Sequence, residues 1–212
     1  KAYDTISPGV RQNQVSGKIQ HSLIAGNNEI GGEYSGLTTI LASGISASAS
    51  HLTPTDKKFL KNEGTIIELS GVKNRYHCPM SRTVYVGKPD DQTNDIMNIT
   101  NEAFESALKN IKPGNTANDV AVAFWSILSK YGLEKDSRLG YSIGVGYPPD
   151  WGEHTMSIRK NDMTVFKPNI TFHMIAGMWM DTWGLEISES ICVTEKGYEL
   201  FCNFPRNLHI IS

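Results

Sequence analysis

The stretch NEGTIIELSGVKNRYHCPMSRTVYVGKP, residues 62–89, decides the fold because it predicts a pair of β-strands. Residues 65–70 are rich in β-branched side chains and follow a glycine. Residues 81–86 alternate in polarity and stop before Pro89, which cannot donate to a sheet ladder. A polar corner is expected between the two strands.

An acidic residue interrupts the first of these strands. Side chains on a strand alternate between its two faces, so Glu68 shares a face with Ile66 and Ser70. A carboxylate in that row is either a surface charge on an edge strand or a functional group. Both interpretations stay open at this point.

The composition of the chain limits its domain number, its partners and its compartment. The 212 residues are 39% hydrophobic, which suits one large domain or two fused halves, and the net charge of −2 comes without a basic stripe. Nucleic acid and membrane are therefore poor partners, and no apolar run approaches the roughly 18 residues of a membrane span. Cys78, Cys192 and Cys202 fall in no CxxC pattern, which favours free thiols in a cytoplasmic protein. Because the chain begins at Lys1, we expect an N-terminal domain to be missing.

The sequence repeats with a shift near half its length. Residues 6–23 placed over residues 111–128 share six of eighteen positions, and His51 falls against His154 at a shift of 103. This pattern predicts a duplication, with a first half of about residues 1–90 and a second of about 91–212. Two such copies would enclose one cleft, where pockets usually lie.

The second half predicts two further strands, residues 169–178 and 184–193. Strand alternation puts His173 on one face of the first of them and Glu186 on one face of the second. Residues 140–154 contain too much glycine and proline for a helix. They lack a strand–GxGxxG–helix unit, so no dinucleotide cofactor is expected.

Several motifs resemble one known family. SRTVYVGKP (81–89), GYSIG (140–144) and EISESICVTEKGYELF (186–201) resemble the pita-bread fold of methionine aminopeptidases, proline-specific aminopeptidases and creatinase. This resemblance implies an α+β fold, with two pseudo-symmetric helix-plus-antiparallel-sheet halves around one cleft. RYHCPMSRTV (75–84) and GYPPDWGEHT (146–155) are similar to the ectoine-hydrolase branch, whose members need no metal.

The same resemblance argues against a metal. The peptidases hold two metal ions with two Asp, one His and two Glu, and the matching positions carry other residues here: Ser70, Pro79, Tyr141, Ile175 and Ser188. Three hydroxyls, a proline and an isoleucine cannot replace those ligands. We therefore expect no metal site and no cofactor.

Other polar groups are predicted to line the cleft. His51 matches the position of the catalytic histidine of creatinase, whereas the creatinase glutamate before its Arg-Thr is Ser81 here, which makes creatine a doubtful substrate. We predict four catalytic residues: His51, Glu68, His154 and Glu186. We predict five substrate-binding residues: His77, Tyr141, His173, Trp179 and Trp183.

These groups suit a reaction without a metal. The carbon between two nitrogens of an amidinium is already electrophilic, and its hydrolysis needs a carboxylate and a histidine that moves protons. Aromatic rings, with Trp151 among them, can hold a planar cation. The prediction is thus a homodimeric hydrolase that opens the cyclic amidine of ectoine, with Glu68 as nucleophile or cation anchor. The alternatives are another amidine or guanidine hydrolase of this fold, or a peptidase homologue without metals that acts as a binding module.

Overall fold

A computed structural model describes residues 2–212. In that part of the chain the three α-helices are α1 (Gln12–Ala25), α2 (Asp91–Leu108) and α3 (Ala117–Lys130). The strands are β1 (Ile40–Ser43), β2 (Glu63–Lys73), β3 (Tyr76–Val86), β4 (Gly140–Tyr147), β5 (Asp150–Ile158), β6 (Thr171–Trp179), β7 (Gly184–Val193), β8 (Tyr198–Leu200) and β9 (His209–Ile211), and a 3₁₀ helix covers Gly44–Ser48.

The predicted strand pair is a single long hairpin. Strands β2 and β3 pair antiparallel along their whole length, from Glu63 opposite Val86 to Lys73 opposite Tyr76. The polar corner is shorter than predicted, because both strands extend into it and the turn is confined to Asn74 and Arg75. Both turn residues have positive φ, 49° and 64°, which is the geometry of a tight two-residue hairpin.

All strands belong to one continuous sheet. Its order is β1-β2-β3-β4-β6-β7-β8, with β5 paired to β4 and β9 to β3. A hydrophobic cluster lies on the helix side of each half: one packs α1 against β2 and β3 around Ile19 and Ile67, and the other packs α2 and α3 against β6 and β7 around Phe104 and Phe124. The opposite face of the sheet carries the polar side chains described below, beside a smaller cluster formed by Tyr141, Ile143 and Trp151.

The two halves repeat the same local structure. Helices α1 and α3 have equal lengths and are displaced by 105 residues. The N–H of Gly9 donates to the carbonyl of Phe59 (2.9 Å), and the N–H of Gly114 donates to that of Phe166 (3.0 Å). The N–H of Gln12 donates to the carbonyl of Lys57, as the N–H of Ala117 does to that of Thr164. The N–H of Asn62 donates to the carbonyl of Val86, as the N–H of Asn169 does to that of Val193. These bonds support the proposed duplication.

The halves meet where β3 lies beside β7. The hydroxyl of Thr83 donates to the carbonyl of Glu186 (2.9 Å), and the hydroxyl of Ser190 donates to the carbonyl of Pro79 (2.6 Å). The two bonds are equivalent at a shift of 107. A side chain from each half therefore closes the junction by the same kind of contact.

Two serines lie at the centre of this junction. Ser81 pairs with Glu68 across the first hairpin, and Ser188 pairs with Ile175 across the second. The two serines are equivalent at the same shift of 107, and the N–H of Ser81 donates to the Ser188 hydroxyl oxygen (2.6 Å). Residues that are equivalent and in direct contact mark the position of the pseudo-twofold axis.

Candidate active site

Glu68 is a buried carboxylate held in the middle of the sheet. It pairs with Ile40 of β1 on one side and with Ser81 of β3 on the other, so its backbone is fixed from both sides. The residue is 3% exposed, and no other residue within 2–212 hydrogen-bonds its carboxylate. The Nδ1 of His173 lies 3.8 Å from Glu68 Oε1. Burial first, and then the negative charges of Glu186 and Asp150, raise the pKa of Glu68 well above its usual range.

Glu186 is a second buried carboxylate on the same face. Its backbone is held by Thr83, and its Oε1 has no hydrogen-bond partner among residues 2–212. A methyl group at Gly177, the residue opposite it on β6, would lie 3.0 Å from Glu186 Oε2 and 2.4 Å from Trp179 Cη2. Glycine there makes room for the carboxylate and the indole together. Burial raises the pKa of Glu186, and the Ser81 hydroxyl and the Lys135 ammonium oppose that rise.

A chain of hydrogen bonds runs beside the carboxylates through His173. Its Nε2 lies 2.7 Å from Ser188 Oγ and its Nδ1 lies 3.1 Å from Tyr141 Oη. Tyr141 also accepts from the indole N–H of Trp151 (2.7 Å), and Ser188 accepts from the N–H of Ser81. With a proton on Nδ1, the ring donates to Tyr141 and frees the phenol proton. With a proton on Nε2, it donates to Ser188 and accepts from Tyr141.

His173 is uncharged in this environment. Its side chain is fully buried. Burial, helped by the positive charge of Arg82, lowers the pKa of His173 to about 3. Burial likewise raises the pKa of Tyr141, with the negative charge of Glu68 as the next cause. Both groups are neutral near pH 7, and each can pass a proton on without carrying a lasting charge.

His77 lies next to this chain but is already engaged on both ring nitrogens. Its Nε2 accepts from the N–H of Gly36 (2.9 Å), so its Nδ1–H donates to the carbonyl of Arg75 (2.9 Å). The ring is tilted against Trp151 at a centroid distance of 6.5 Å. Burial lowers the pKa of His77. His77, which was predicted to bind substrate, is therefore neutral and has both ring nitrogens engaged within the protein.

Lys135 belongs to the site, although the sequence did not indicate it. It is 8% exposed, its Nζ donates to the carbonyl of Gly177 (3.0 Å), and it lies 4.4 Å from the centroid of the Trp179 ring. Since the residue precedes β4 in an irregular segment, strand alternation gives no sign of its direction. Ser188 is the other residue of the site that was not predicted; it was named only as a position where the peptidases have a metal ligand.

Three predicted site residues are not brought to the buried carboxylates. Trp183 packs against the core beneath the helices and lines a groove with Tyr85 and Asp90, and its role in substrate binding stays a prediction. His51 and His154 are exposed. They share a left-handed backbone, φ 63° and 57°, as their equivalence predicts.

The exposed histidines have different surroundings. The Nε2 of His154 lies 2.9 Å from a carboxylate oxygen of Asp150, and Asp150 in turn acts on the charge of Glu68. His51 makes no hydrogen bond to the rest of the described chain, 2–212. The catalytic roles of both histidines stay predictions.

The side chains do not suit a bound metal. Within residues 2–212, no group of three or more His, Cys, Asp or Glu side chains is arranged to hold a metal ion. Of the five positions that match the peptidase ligands, Ser70 lies opposite Pro79 and Ile175 lies opposite Ser188, whereas Tyr141 lies opposite His173. They present hydroxyls and apolar groups there, and hard divalent ions need several charged oxygen or imidazole donors.

With the fold and the site described, the class of protein follows. Residues 1–195 match the profile of metallopeptidase family M24, and the chain belongs to that family. Prolidase from Pyrococcus furiosus has a TM-score of 0.87 and 26% sequence identity, over 97% of this chain and 59% of that chain. The predicted pita-bread fold is thereby confirmed.

Relatives within the family are more specific. The chain is 42% identical to ectoine hydrolase of Halomonas elongata, over 98% of this chain and 53% of that protein. It is 39% identical to an uncharacterized hydrolase/peptidase of Sinorhizobium fredii, over 98% of this chain and 53% of that protein. The chain spans about half the length of the curated relatives it matches. In residues 2–212, no helix has both the length and the apolarity to cross a membrane.

Proposed function

We propose that this protein is a metal-independent hydrolase that opens the ring of a cyclic amidine, with ectoine as the substrate and an N-acetylated diaminobutyrate as the product. The observation that carries this proposal is Glu68: a buried carboxylate with no cation and no hydrogen-bond donor among residues 2–212. A buried charge of this kind is costly unless something cationic arrives. An amidinium is such a group, and the identity with ectoine hydrolase supports this choice.

Binding prepares the carboxylates for the reaction. When the amidinium enters, its positive charge favours the ionised form of Glu68, so the proton that Glu68 holds at rest is released. Glu186 has a neighbouring ammonium in Lys135 and Glu68 has none. Glu186 is therefore the carboxylate that ionises more readily and can take a proton from water, while Glu68 anchors the cation or attacks its carbon.

The reaction then needs one water and no redox partner. The water oxygen adds to the carbon between the two nitrogens, and its proton goes to a carboxylate. One C–N bond breaks, its electron pair stays on nitrogen, and a proton completes the amine. His173 and Tyr141 form the neutral hydrogen-bonded pair beside Glu68 that can move this proton. The carbon is activated by the charge of the amidinium itself, so no step depends on a metal ion.

Product analysis tests the proposal directly. The purified protein is incubated with ectoine, hydroxyectoine and creatine, and products are followed by mass spectrometry. We expect a gain of one water mass on ectoine and none on creatine. Cleavage of an Xaa-Pro dipeptide that depends on added Mn²⁺ or Co²⁺, with no change to ectoine, would overturn the proposal and restore the peptidase interpretation.

A further inference from the structure

Lys135 carries a positive charge that meets no carboxylate in an ion pair within residues 2–212. Its Nζ donates to two uncharged oxygens, the carbonyl of Gly177 and the hydroxyl of Ser137. No carboxylate of the described chain lies within ion-pair distance of it, since its interaction with Glu186 acts over a longer range. Burial lowers the pKa of Lys135 to about 8, so the group is still mainly an ammonium at neutral pH. An unpaired buried ammonium is as unfavourable as an unpaired buried carboxylate.

An unused hydrogen-bond donor lies on the same face. The Trp179 ring, beneath Lys135, covers Gly177 beside Glu186. Its Nε1 is buried without a partner among residues 2–212. Buried polar groups in native proteins normally find partners. A cation and a free donor together match the chemistry of a carboxylate.

We propose that Lys135 and Trp179 form an anion subsite that binds a carboxylate of the substrate. The inference rests on the proposed function for the amidine part of the substrate and assigns the residues that bind the carboxylate on its ring. The site then offers Glu68 to the amidinium and Lys135 to the carboxylate. A zwitterion meets both groups, whereas an amidine without a carboxylate leaves Lys135 without an ion pair.

Kinetics with two substrates test this assignment. Ectoine is compared with 2-methyl-1,4,5,6-tetrahydropyrimidine, the same ring without the carboxylate, in wild type and in Lys135→Met. We expect wild type to prefer ectoine by about 100-fold in kcat/KM, and Lys135→Met to lose at least about 30-fold on ectoine, mainly through KM, while it changes turnover of the other ring less than about threefold. Lys196→Met, which removes an exposed lysine, should leave both substrates unchanged. Equal losses on both substrates would indicate a structural role and overturn the proposal.

A binding experiment separates this inference from the proposed reaction. L-pipecolate has a cationic ring nitrogen beside a carboxylate and no amidine to hydrolyse, and piperidine is its counterpart without the carboxylate. By calorimetry we expect wild type to bind pipecolate at least about tenfold more tightly than Lys135→Met does, and both proteins to bind piperidine alike. If ectoine is not hydrolysed but this difference is present, the proposed function fails and the subsite stands. If pipecolate binds both proteins equally, the subsite is refuted whatever the enzyme hydrolyses.

Discussion

Replacing Glu68 with glutamine keeps the shape of the side chain and removes its charge. The carboxylate is buried in the centre of β2 and is proposed to hold or attack the amidinium carbon. We expect turnover of ectoine to fall at least about 100-fold, which corresponds to about 2.7 kcal/mol of lost transition-state stabilisation. A loss of that size alone does not separate a catalytic group from a structural one, so the same variant is also examined by its stability.

The stability effect has a definite sign and pH range. The pKa of Glu68 is raised in the folded protein above its usual value of 4.5. Above pH 4.5 the unfolded chain releases this proton while the folded protein keeps it, so wild type loses stability as the pH rises, until the raised pKa is passed. The slope for one proton is about 1.4 kcal/mol per pH unit. Glutamine has no proton to release. The free energy of unfolding of the variant, relative to that of wild type, therefore increases by up to about 1.4 kcal/mol per pH unit above pH 4.5.

Urea unfolding from pH 4.5 to pH 7.5 measures this difference. The two proteins should have similar free energies of unfolding at pH 4.5, and Glu68→Gln should be the more stable one at pH 7. Glu199→Gln, which changes an exposed carboxylate, is the matched control and should follow wild type at every pH. A pH-independent difference between Glu68→Gln and wild type would refute the account of Glu68 as a buried, unpaired acid. Near-normal turnover of the variant would refute its role in catalysis.

Two further substitutions and a metal analysis test the rest of the site. Glu186→Gln should reduce turnover less than Glu68→Gln, by about tenfold or about 1.4 kcal/mol; the reverse order in steady-state kinetics would exchange the two roles. His173→Gln should lower the free energy of unfolding by about 1–3 kcal/mol at pH 7. In urea unfolding, this difference from wild type should become smaller as the pH falls below 6.5. The reason is that wild type loses stability in acid, because it must keep His173 neutral down to a pKa of about 3. A deficit that widens in acid would contradict this. Elemental analysis should find no stoichiometric Mn, Co or Zn, and activity should survive a chelator; a metal ion bound to each chain and activity lost on chelation would contradict the ligand argument.

Much of the fold follows from local sequence signals. Strand β7 begins and ends where the alternation of residues 184–193 predicted, because Glu186, Ser188 and Ser190 point to one face and apolar residues to the other. The repeat of residues 6–23 in 111–128 predicted a duplication, and α1 and α3 are displaced by the same 105 residues. Periodicity and repetition are properties of neighbouring residues, so one sequence suffices to detect them.

The differences between prediction and structure concern information that a local pattern does not contain. The corner predicted between residues 70 and 81 is mostly strand, because the pairing of β2 with β3 continues to a tight turn at Asn74 and Arg75. Trp183 was assigned to the site as an aromatic ring that can hold a planar cation, but it packs against the helix-side core. Lys135 was missed because its ammonium approaches β6 from an irregular segment 42 residues away in sequence. Contacts of that kind arise only from tertiary packing.

The symmetry of the scaffold shows why the active site is built from unlike halves. Ser81 and Ser188 are equivalent, contact each other and mark the pseudo-twofold axis. The partners of the charged residues under the same shift of 107 are not charged: Glu68 corresponds to Ile175, and Glu186 corresponds to Pro79. A symmetric pair of carboxylates would have identical surroundings and equal pKa values, and neither would be favoured as acid or base. The two carboxylates occupy positions that are not equivalent in the repeated hairpin. Glu186 therefore has the ammonium of Lys135 as a neighbour, and Glu68 has none. The duplicated backbone thus provides one rigid cleft, and the unequal positions of its two buried acids provide the electrostatic difference that acid–base chemistry needs.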